Sequence, residues 1–280
     1  MALRVPAFVL SGLLLLAGVI TVGIKGEKVL GVDFTGGDLV TFSFKEKVDD
    51  GKIRSSLGNL AEVVQYQRSP VGGQEVLSLR TAFGNGEKVG QKLAQDFPQA
   101  EYRELQLDKV AGVVGAELKQ KALIALLLGV VAIFIYTTWR FETAFAAGAI
   151  VALVHDVLIS LGIFALLGRE LSLPMVGAIL AVAGYSINDT IVIFDRIREF
   201  FRGGVGSDRA GVMNLAINQT LSRTLLTSGL TFLAVLVLFV LGGRVINDFA
   251  LILLIGIVVG TYSSIFIASP IVLLFGKPKS

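Results

Sequence analysis

Long apolar segments alternate with polar ones along the whole sequence. Six of the apolar segments approach or exceed the roughly 20 residues that cross a bilayer as a helix. They comprise residues 5–24, 122–138, 143–167, 173–194, 221–241 and 249–275. The pattern therefore predicts six transmembrane helices, and the second, which is the shortest, needs its amphipathic flanks to complete the span.

The polar stretch between the first and second apolar segments is long enough to form a domain. Apolar residues alternate in four short runs and recur at helical spacing in two others. In chain order this predicts strand 39–45, helix 48–60, strand 62–69, strand 75–83, helix 87–97 and strand 101–110, with turns at Gly72-Gly73 and residues 84–86. The order βαββαβ is typical of the ferredoxin-like fold, which serves many functions and indicates none by itself.

We therefore expect a polytopic α-helical membrane protein with six transmembrane helices and one external α+β domain between helices 1 and 2. The predicted divisions are a first transmembrane helix in residues 1–24, a ferredoxin-like domain in 25–121, and a five-helix bundle in 122–280 with a cytoplasmic loop at 195–222. If the domain moves as a body, its hinges are expected at residues 23–31 and 111–115, where glycines can absorb backbone rotation.

Composition agrees with an integral membrane protein. Hydrophobic residues make up 54% of the chain and charged residues 17%, whereas soluble domains carry about 25% charged residues. The absence of cysteine excludes disulfides, thiolate metal sites and cysteine nucleophiles. A net charge of +3 is too small to indicate a nucleic-acid partner. The first apolar segment exceeds the roughly 7–15 residues of a signal-peptide core and no Ala-x-Ala-like site follows it, so we expect it to be retained.

The distribution of basic residues predicts the orientation in the membrane. With a cytoplasmic amino terminus, nine basic residues flank the cytoplasmic ends of the spans: Arg4, Arg140, Arg196, Arg198, Arg202, Arg209, Arg223, Lys277 and Lys279. The opposite short loops hold only Arg169 and Arg244. Because cytoplasmic loops carry the excess of Lys and Arg, both termini are expected inside and the large domain outside, on the periplasmic side.

Polar residues interrupt the fourth apolar segment and give the strongest indication of function. An aspartate at the centre of a transmembrane helix costs roughly 2.5–3.5 kcal/mol on insertion scales, so it is expected to face a bundle interior or a wet cavity. Asp189 is therefore a candidate for ion coupling, with Tyr185 and Ser186 on the same helical face. Asn188 is equally well explained as an interhelical hydrogen-bonding residue. A small-residue strip, Gly177, Ala181 and Gly184, favours close approach of a neighbouring helix.

The fifth apolar segment begins with an arginine and a row of hydroxyl residues. Arg223 is followed by Thr227, Ser228 and Thr231, which would continue one polar face into the membrane. A guanidinium keeps its proton in proteins, so Arg223 could adjust a nearby carboxylate but not carry the proton itself. We predict that Arg223 partners Asp189; the alternative is an arginine that reaches the cytoplasmic surface and only anchors the topology.

A histidine and an aspartate stand together near the middle of the third apolar segment. His155 is the only histidine of the chain, and its side chain titrates near neutral pH in water. The pair His155-Asp156 is equally compatible with a proton relay and with a buried structural pair. Asp156 and Asp189 on successive helices also raise an intramembrane aspartyl protease as a weak alternative, although the Gly-x-Gly-Asp signature of those enzymes is absent.

Two further segments have simpler explanations. The glycine-rich run that starts at Gly31 lacks the Gly-Lys-Ser/Thr of a phosphate loop, so nucleotide binding is rejected. Its paired glycines predict a tight turn capped by Asp33 or Thr35. The basic stretch 196–223 contains Phe200 and Phe201 and is expected to form an amphipathic interfacial helix.

Two of these motifs together resemble a known family. The run Gly31-Val32-Asp33-Phe34-Thr35-Gly36-Gly37 after the first span, and residues 184–199 around Asp189, are similar to the SecD/SecF family of protein-export membrane proteins. The His-Asp-Val of the third span and the Leu-Ser-Arg-Thr of the fifth fit the same pattern. The resemblance covers essentially the whole chain.

The resemblance implies a SecF-like role in a SecDF complex of the resistance-nodulation-division superfamily. Such a complex would use the proton motive force to assist preproteins through the Sec channel in the bacterial cytoplasmic membrane. The implied partners are SecD, the SecYEG channel, a YajC-like accessory subunit, the unfolded preprotein and the lipid bilayer. The family's essential aspartate and arginine fall on Asp189 and Arg223.

The resemblance implies a transporter subunit rather than an enzyme, with no cofactor or metal. The coupling ion is expected to be H⁺, with Na⁺ as the other option. The rival functions are a proton-driven small-molecule exporter of the same superfamily, a non-transporting assembly scaffold, and the protease mentioned above. An exporter usually has two large external domains, whereas this chain has one.

Overall fold

The computed structural model describes residues 1, 3–68, 75–206 and 208–275, and its backbone forms six long helices and one small domain. The helices and strands, in chain order, are α1 (Arg4–Lys25), α2 (Val32–Thr35), β1 (Gly37–Ser43), α3 (Asp50–Leu57), β2 (Val63–Arg68), β3 (Glu75–Thr81), α4 (Gly86–Asp96), β4 (Arg103–Val110), α5 (Gly112–Arg140), α6 (Thr143–Leu166), α7 (Leu173–Arg202), α8 (Arg209–Leu241), α9 (Gly243–Ser263) and α10 (Ser269–Phe275). A π-helical segment, Ser264–Ala268, joins α9 to α10. The predicted turn at Gly72-Gly73 and the lysines Lys277 and Lys279 lie outside the described residues.

Six helices are long and apolar enough to cross a membrane, which confirms the predicted number. The spans are α1, α5, α6, α7, α8 and the α9–α10 unit. The second span starts at Gly112 rather than at residue 122, so the inserted domain ends at Val110 and not at 121. Sequence hydropathy missed this first part of α5 because it is polar. Its helical conformation is supported by an i,i+4 ion pair between Glu117 and Lys121, 2.7 Å apart.

The predicted cytoplasmic loop at 195–222 is mostly helical. The fourth span continues to Arg202 and the fifth begins at Arg209, so only residues 203–208 connect them. Asp208 caps the fifth span by accepting hydrogen bonds from two backbone N–H groups, of Ala210 and Gly211, at 3.1 and 2.9 Å. The expected interfacial helix is therefore wrong: the basic stretch forms the ends of two long helices.

The inserted domain has the predicted βαββαβ order. Its four strands form one antiparallel sheet in the order β2-β3-β1-β4, which is the ferredoxin-like arrangement. Alternate strand residues point to one face, where Val40 and Leu79 are fully buried against the helices. The helices contribute residues four apart, such as Val89 and Leu93 of α4, because that spacing places both on one helical face.

The glycine-rich run joins the domain to the bundle. The N–H of Gly31 donates to the carbonyl of Leu171 at 2.7 Å, and the N–H of Leu171 donates to the carbonyl of Val29 at 2.7 Å. Asp33 does not cap its own turn: it accepts a hydrogen bond from the N–H of Leu173 at 2.7 Å, at the first residue of α7. The predicted local cap is therefore right only for Thr35, whose hydroxyl donates to the carbonyl of Gly31 at 3.1 Å.

The remaining residues of this run allow close packing against the start of α5. Gly36 has φ +75°, a left-handed conformation, and a Cβ there would lie 2.7 Å from the Cα of Gly112. Phe34 is buried, and a Cβ on Gly115 would lie 3.3 Å from its carbonyl carbon. Gly37 also has a positive φ, of +117°. In the predicted hinge regions, a Cβ on Gly31 or Gly115 would lie within 3.0 Å of a backbone atom, whereas one on Gly23, Gly26 or Gly112 would meet nothing within 4 Å.

Three helices form the centre of the bundle. About half of the most apolar stretch is buried in α6, α7 and the α9–α10 unit, and much less in α1, α5 and α8. The central helices approach closely: a Cβ on Gly260 would lie 3.0 Å from the Cβ of Ser186. The outer helices expose large apolar side chains, such as Leu127 and Leu230, as expected for contact with lipid. Buried polar groups are thereby concentrated between α6, α7 and α9.

Candidate functional site

Asp189 is buried where α7 faces α8 and α9, with 3% of the residue exposed. Its Oδ2 accepts a hydrogen bond from the hydroxyl of Ser228 on α8 at 3.2 Å. Ser228 in turn accepts from the hydroxyl of Thr261 on α9 at 2.8 Å. The carboxylate therefore lies at the end of a three-residue polar chain that links three transmembrane helices. Because the hydrogen-bond partner of Asp189 is a hydroxyl group and not a cation, its carboxyl group can exist either protonated or ionised.

Arg223 makes no direct contact with Asp189. Its side chain is exposed on α8, and no ion pair joins it to Asp189. Arg223 lines a shallow cleft of about 330 Å³ together with Asp195, Arg196 and Glu199. The predicted partnership is therefore not formed as a direct contact in this structure, and an electrostatic effect of Arg223 on Asp189 stays a prediction.

The hydroxyl residues of α8 do not form one continuous polar face. Thr227 is exposed, and its hydroxyl donates within its own helix, to the carbonyls of Arg223 and Thr224 at 3.0 Å each. Ser228, one position further, points inward to Asp189. Thr227 is thus separate from the Asp189 chain, because successive helical residues point about 100° apart.

His155 and Asp156 form a second polar centre, which we call the His155–Asp156 pair. The Asp156 carboxyl is completely buried and accepts hydrogen bonds from His155 Nδ1 at 2.8 Å, Ser263 Oγ at 2.6 Å and Ser186 Oγ. The other ring nitrogen of His155, Nε2, lies 2.8 Å from the hydroxyl of Ser11 on α1. The pair therefore connects four of the six spans.

The polar residues that surround Asp189 in the sequence lie in three different environments. The hydroxyl of Ser186 donates a hydrogen bond to Asp156 and not to Asp189. Tyr185 packs beside the apolar cluster of α8 and α9, and its buried hydroxyl has no hydrogen-bond partner among the described residues. Asn188 is exposed, so the prediction that it joins helices within this chain is not met. The strip of Gly177, Ala181 and Gly184 is exposed as well: no described helix packs on it.

The two membrane aspartates are separate sites. Asp156 accepts from Ser186 and Ser263, whereas Asp189 accepts from Ser228. No hydrogen bond joins the two carboxyl groups, so the proton-sharing dyad of an aspartyl protease is not formed in this structure. Among the described residues no group of three His, Cys, Asp or Glu side chains could hold a metal ion.

A scan against family models gives the decisive comparison. Residues 88–278 match the model described as protein export membrane protein SecD/SecF, C-terminal. The chain belongs to the SecD/SecF family. The match includes all five spans after the domain, and with them Asp189, His155 and Asp156, whereas Ser11 of the first span lies outside it. Membership confirms the resemblance inferred from the two motifs.

Curated SecF proteins resemble the chain over nearly its whole length. Protein translocase subunit SecF of Calditerrivibrio nitroreducens is 42% identical over 276 residues, which cover 95% of this chain and 90% of the relative. The SecF of Desulfurispirillum indicum is 40% identical and covers 100% of the chain and 91% of that protein. The SecF of Escherichia coli O157:H7 is 36% identical over 98% of the chain and 86% of its own length. The chain is thus a SecF-type member of the family and a multi-pass membrane protein.

Two solved SecDF structures share the fold. SecDF from Thermus thermophilus, described as a translocon-associated membrane protein, is 33% identical and superposes with a TM-score of 0.82 over 98% of this chain. A SecDF in a super-membrane-facing form is 34% identical, with a TM-score of 0.67 over 97% of the chain. The SecF-type chain spans 38% of the length of each SecDF chain.

Most of the hydroxyl groups that bond the two carboxyl centres were not predicted as site residues from the sequence. Thr261 and Ser263 on α9, and Ser11 on α1, are single small polar residues within apolar segments. Tyr262, whose hydroxyl lies 3.2 Å from Ser11, was missed as well. Thr261, Tyr262 and Ser263 belong to a cluster of four consecutive hydroxyl residues, 261–264, in the sixth span, whereas Ser11 stands alone in the first. Such residues are common in membrane helices, so position alone could not distinguish them.

Proposed function

We propose that this SecF-type subunit works with SecD as a proton-driven machine that assists preprotein movement through the Sec channel. Asp189 takes up a proton from the external side and releases it to the cytoplasm. Its charge state biases the packing of α7 against α8 and α9, and the external domain handles the emerging polypeptide. The chain acts as a transporter subunit and not as an enzyme, and it uses no cofactor.

The burial of Asp189 at the centre of three spans carries this proposal. A structural hydrogen bond to Ser228 could be made by an amide, whereas only a carboxyl group can also change charge. One proton that crosses 100 mV releases about 2.3 kcal/mol, which shifts a two-state equilibrium by tens-fold. Six spans with one such site fit half of a transporter that is completed by a similar second half.

The exposed polar surface of the bundle supports SecD as that second half. Arg223 and Asn188 are polar side chains exposed on transmembrane helices. The small-residue strip of α7 is also uncovered. Polar groups at membrane depth require a protein or water partner, so a similar set of SecD helices would cover them. The SecYEG channel and a YajC-like subunit are further partners in the proposed assembly.

The proposed location is the bacterial inner membrane, with both termini in the cytoplasm and the domain in the periplasm. The basic residues that flank the spans support this orientation. The amino terminus lies 2.6 Å from Asn214 of α8, so it is on the same side of the bundle as the α7–α8 connection. Leu171, which contacts the domain junction, lies on the opposite side.

The experiment is Asp189→Asn in vesicles that contain SecD and the Sec channel. The amide keeps the size of the side chain and its bond with Ser228 but cannot ionise. We expect preprotein export to lose its stimulation by the proton gradient and to fall to the level without the gradient, while assembly with SecD is unchanged. Asp195→Asn is the matched control. That carboxylate is on the same helix as Asp189 and pairs with Arg140, the last residue of α5.

Two other results would change the proposal. Gradient-dependent export at the wild-type level in Asp189→Asn would leave the subunit as an assembly scaffold. Stimulation by a Na⁺ gradient in place of a pH gradient would keep the site and replace the coupling ion H⁺ by Na⁺.

A further inference from the structure

The His155–Asp156 pair is the end of a continuous hydrogen-bonded chain. The chain begins at the hydroxyl of Tyr262, which lies 3.2 Å from Ser11 Oγ. Ser11 Oγ lies 2.8 Å from His155 Nε2, and His155 Nδ1 lies 2.8 Å from Asp156 Oδ1. Each oxygen or nitrogen in this series can donate a hydrogen bond in one protonation or tautomeric state and accept one in another.

The outer end of this chain meets a cavity. A space of about 450 Å³ between α1, α8 and the α9–α10 unit is lined by Tyr262 and Thr261. It is also lined by Met1, Arg4 and Asn218, so it reaches the side of the bundle that carries the amino terminus. Ser11 lies seven residues after Arg4, about 10 Å along the helix, so the cavity and the chain together reach well into the membrane.

We propose that the His155–Asp156 pair is a second proton-binding site, loaded from this cavity through Tyr262 and Ser11. A proton passes from Ser11 Oγ to His155 Nε2, and the proton on Nδ1 passes to Asp156 Oδ1. The carboxylate becomes a carboxylic acid and the imidazole ends as its other neutral tautomer. The Tyr262 hydroxyl, which donates to the carbonyl of Ala7 at 2.7 Å, turns to Ser11 and gives it its proton. A hydronium ion in the cavity protonates the Tyr262 oxygen in turn and is left as water.

The surroundings of Asp156 favour a proton over a fixed charge. The groups that face it are Ser186 of α7, Ser263 of α9 and His155 of its own helix, and no lysine or arginine among the described residues pairs with it. Besides His155, the titratable groups nearby are Tyr262 on α9 and, one turn along α7 from Ser186, Asp189. A bound proton makes the pair neutral, which lowers the cost of burying it in an apolar bundle.

A structural role accounts for part of this chain, because the Tyr262 hydroxyl also donates to the carbonyl of Ala7 at 2.7 Å and so joins α9 to α1. Ser186 and Ser263 alone would be enough to hold Asp156 and to join α6 to α7 and α9. The branch through Ser11 to Tyr262 adds no bond to Asp156, but it connects the carboxyl to the cavity. A connected path is required for proton exchange and is not required for packing.

The second site adjoins the first on two helices. Ser186 is one turn before Asp189 on α7, and Ser263 is two residues after Thr261 on α9. Loading Asp156 weakens its acceptance of hydrogen bonds from both serines and so alters the α7–α9 contact that holds the Asp189 chain. The π-helical segment starts directly after Ser263, and π-segments allow a local change of helical register. This regulatory role rests on the proposed function of Asp189, whereas proton binding by Asp156 does not.

The test is an infrared pH titration of the full chain in complex with SecD, in lipid nanodiscs. Protonated carboxyl groups absorb apart from carboxylates, so each titrating aspartate gives its own signal. We expect Asp156→Asn to remove one titrating carboxyl signal that Asp189→Asn retains. If the carboxyl signal of Asp156 does not change with pH while that of Asp189 does, the second site is overturned and the proposed function is retained. If Asp156 titrates and no titrating signal belongs to Asp189, the proposed function is overturned and the second site is retained.

Rates after a pH jump test the path, and they do so even if Asp156→Asn fails to assemble. Ser11→Ala removes the link between Tyr262 and His155 but leaves the carboxyl in place, so we expect proton exchange at Asp156 to slow by about tenfold or more. Ser160→Ala is the matched control, since Ser160 is a buried hydroxyl on α6 with no hydrogen-bond partner among the described residues. Equal rates in the two variants would overturn the path.

Discussion

Two buried aspartates in this bundle have different neighbours, and the neighbours separate their roles. Asp189 accepts one hydrogen bond, from Ser228, and Arg223 lies five residues before Ser228 on the same helix. Asp156 accepts three hydrogen bonds and has no such cation. The first is therefore a sparsely bonded acid near a positive charge, and the second is a densely bonded acid at the end of a hydroxyl chain.

Arg223 is the residue whose substitution tests the electrostatic part of this picture. Because Arg223 makes no direct contact with Asp189, only its charge can act there, so Arg223→Lys should retain most of the gradient-driven export, whereas Arg223→Ala should reduce it by about tenfold. Export in vesicles with SecD is the measurement. Arg202→Ala is the control, since Arg202 is an exposed arginine at the end of α7. Full activity of Arg223→Ala with normal insertion would make Arg223 a topology anchor only.

At the scale of elements, the central helix α7 is held at its beginning by the domain. Asp33 accepts from the N–H of Leu173, the first residue of α7, so a residue from outside the helix satisfies one of its free amino-terminal donors. The negative charge of Asp33 also interacts favourably with the positive end of the helix dipole. The glycine-rich run of the family therefore positions the helix that carries Asp189.

Removal of this contact should loosen the first turn of α7. We expect Asp33→Ala to destabilise the chain by about 0.5–2 kcal/mol, the usual cost of a lost amino-terminal cap. Hydrogen exchange at the amides of Leu173, Met175 and Val176 should become faster. Asp33→Asn keeps an acceptor oxygen and should restore most of the protection, which separates the hydrogen bond from a general loss of folding. Unchanged exchange in Asp33→Ala would contradict the capping role.

At the scale of the whole molecule, the domain and the bundle form one connected structure. Arg80, on β3, donates to the carbonyl of Leu30 at 2.7 Å and lies 3.7 Å from Glu170 of the α6–α7 connection. Arg169 of the same connection pairs with Asp248 of α9 at 2.8 Å. Any movement of the domain relative to the bundle must break or carry along these contacts.

A cross-link at this junction tests whether the domain must separate from the bundle. Leu30 and Leu171 form a parallel β-bridge, which brings their backbones close enough for a disulfide between engineered cysteines. We expect the Leu30→Cys/Leu171→Cys variant to lose gradient-driven export when oxidised and to regain it on reduction. Each single-cysteine variant is a control, because the native chain has no cysteine. Full export by the oxidised form would show that coupling does not require the junction to open.

The pH dependence of stability should reflect the surface pairs of the domain. Hydrogen bonds from Lys109 and Lys45 lower the pKa values of Glu87 and Glu101 from their ordinary value of 4.5. A lowered pKa in the folded state gives a contribution that is present above that ordinary value and is lost as the pH falls through the folded pKa. The unfolding temperature of the full chain should therefore fall below pH about 4.5.

The double variant Glu87→Gln/Glu101→Gln should show a smaller acid-induced fall in unfolding temperature than the native chain. Glu104→Gln, an exposed carboxylate on β4, controls for the change in net charge. The effect is expected to be small, because exposed ion pairs contribute little. An identical fall in the double variant and the native chain would show that these pairs do not set the acid limit.

The sequence by itself determined the six spans, the βαββαβ domain and the family, because each depends on local signals. Apolar length fixes a span, alternation fixes a strand, and the runs at Gly31 and Asp189 are specific motifs. The ends of α5, α7 and α8 were less predictable, since helices continue past the apolar stretch when polar residues can cap or pair them.

Only the tertiary structure decided which polar residues belong together. Ser186 and Asp189 are three residues apart in one motif, yet they serve different carboxyl centres, because the neighbouring helices α6, α8 and α9 supply the partners. Ser228 and Ser263 stand among other hydroxyl residues in the sequence and Ser11 stands alone, and neither pattern shows which carboxyl group each of them bonds. The physical reason is that a buried polar group in an apolar bundle takes its role from the groups across the helix interface, and those contacts between side chains join residues as much as 251 positions apart.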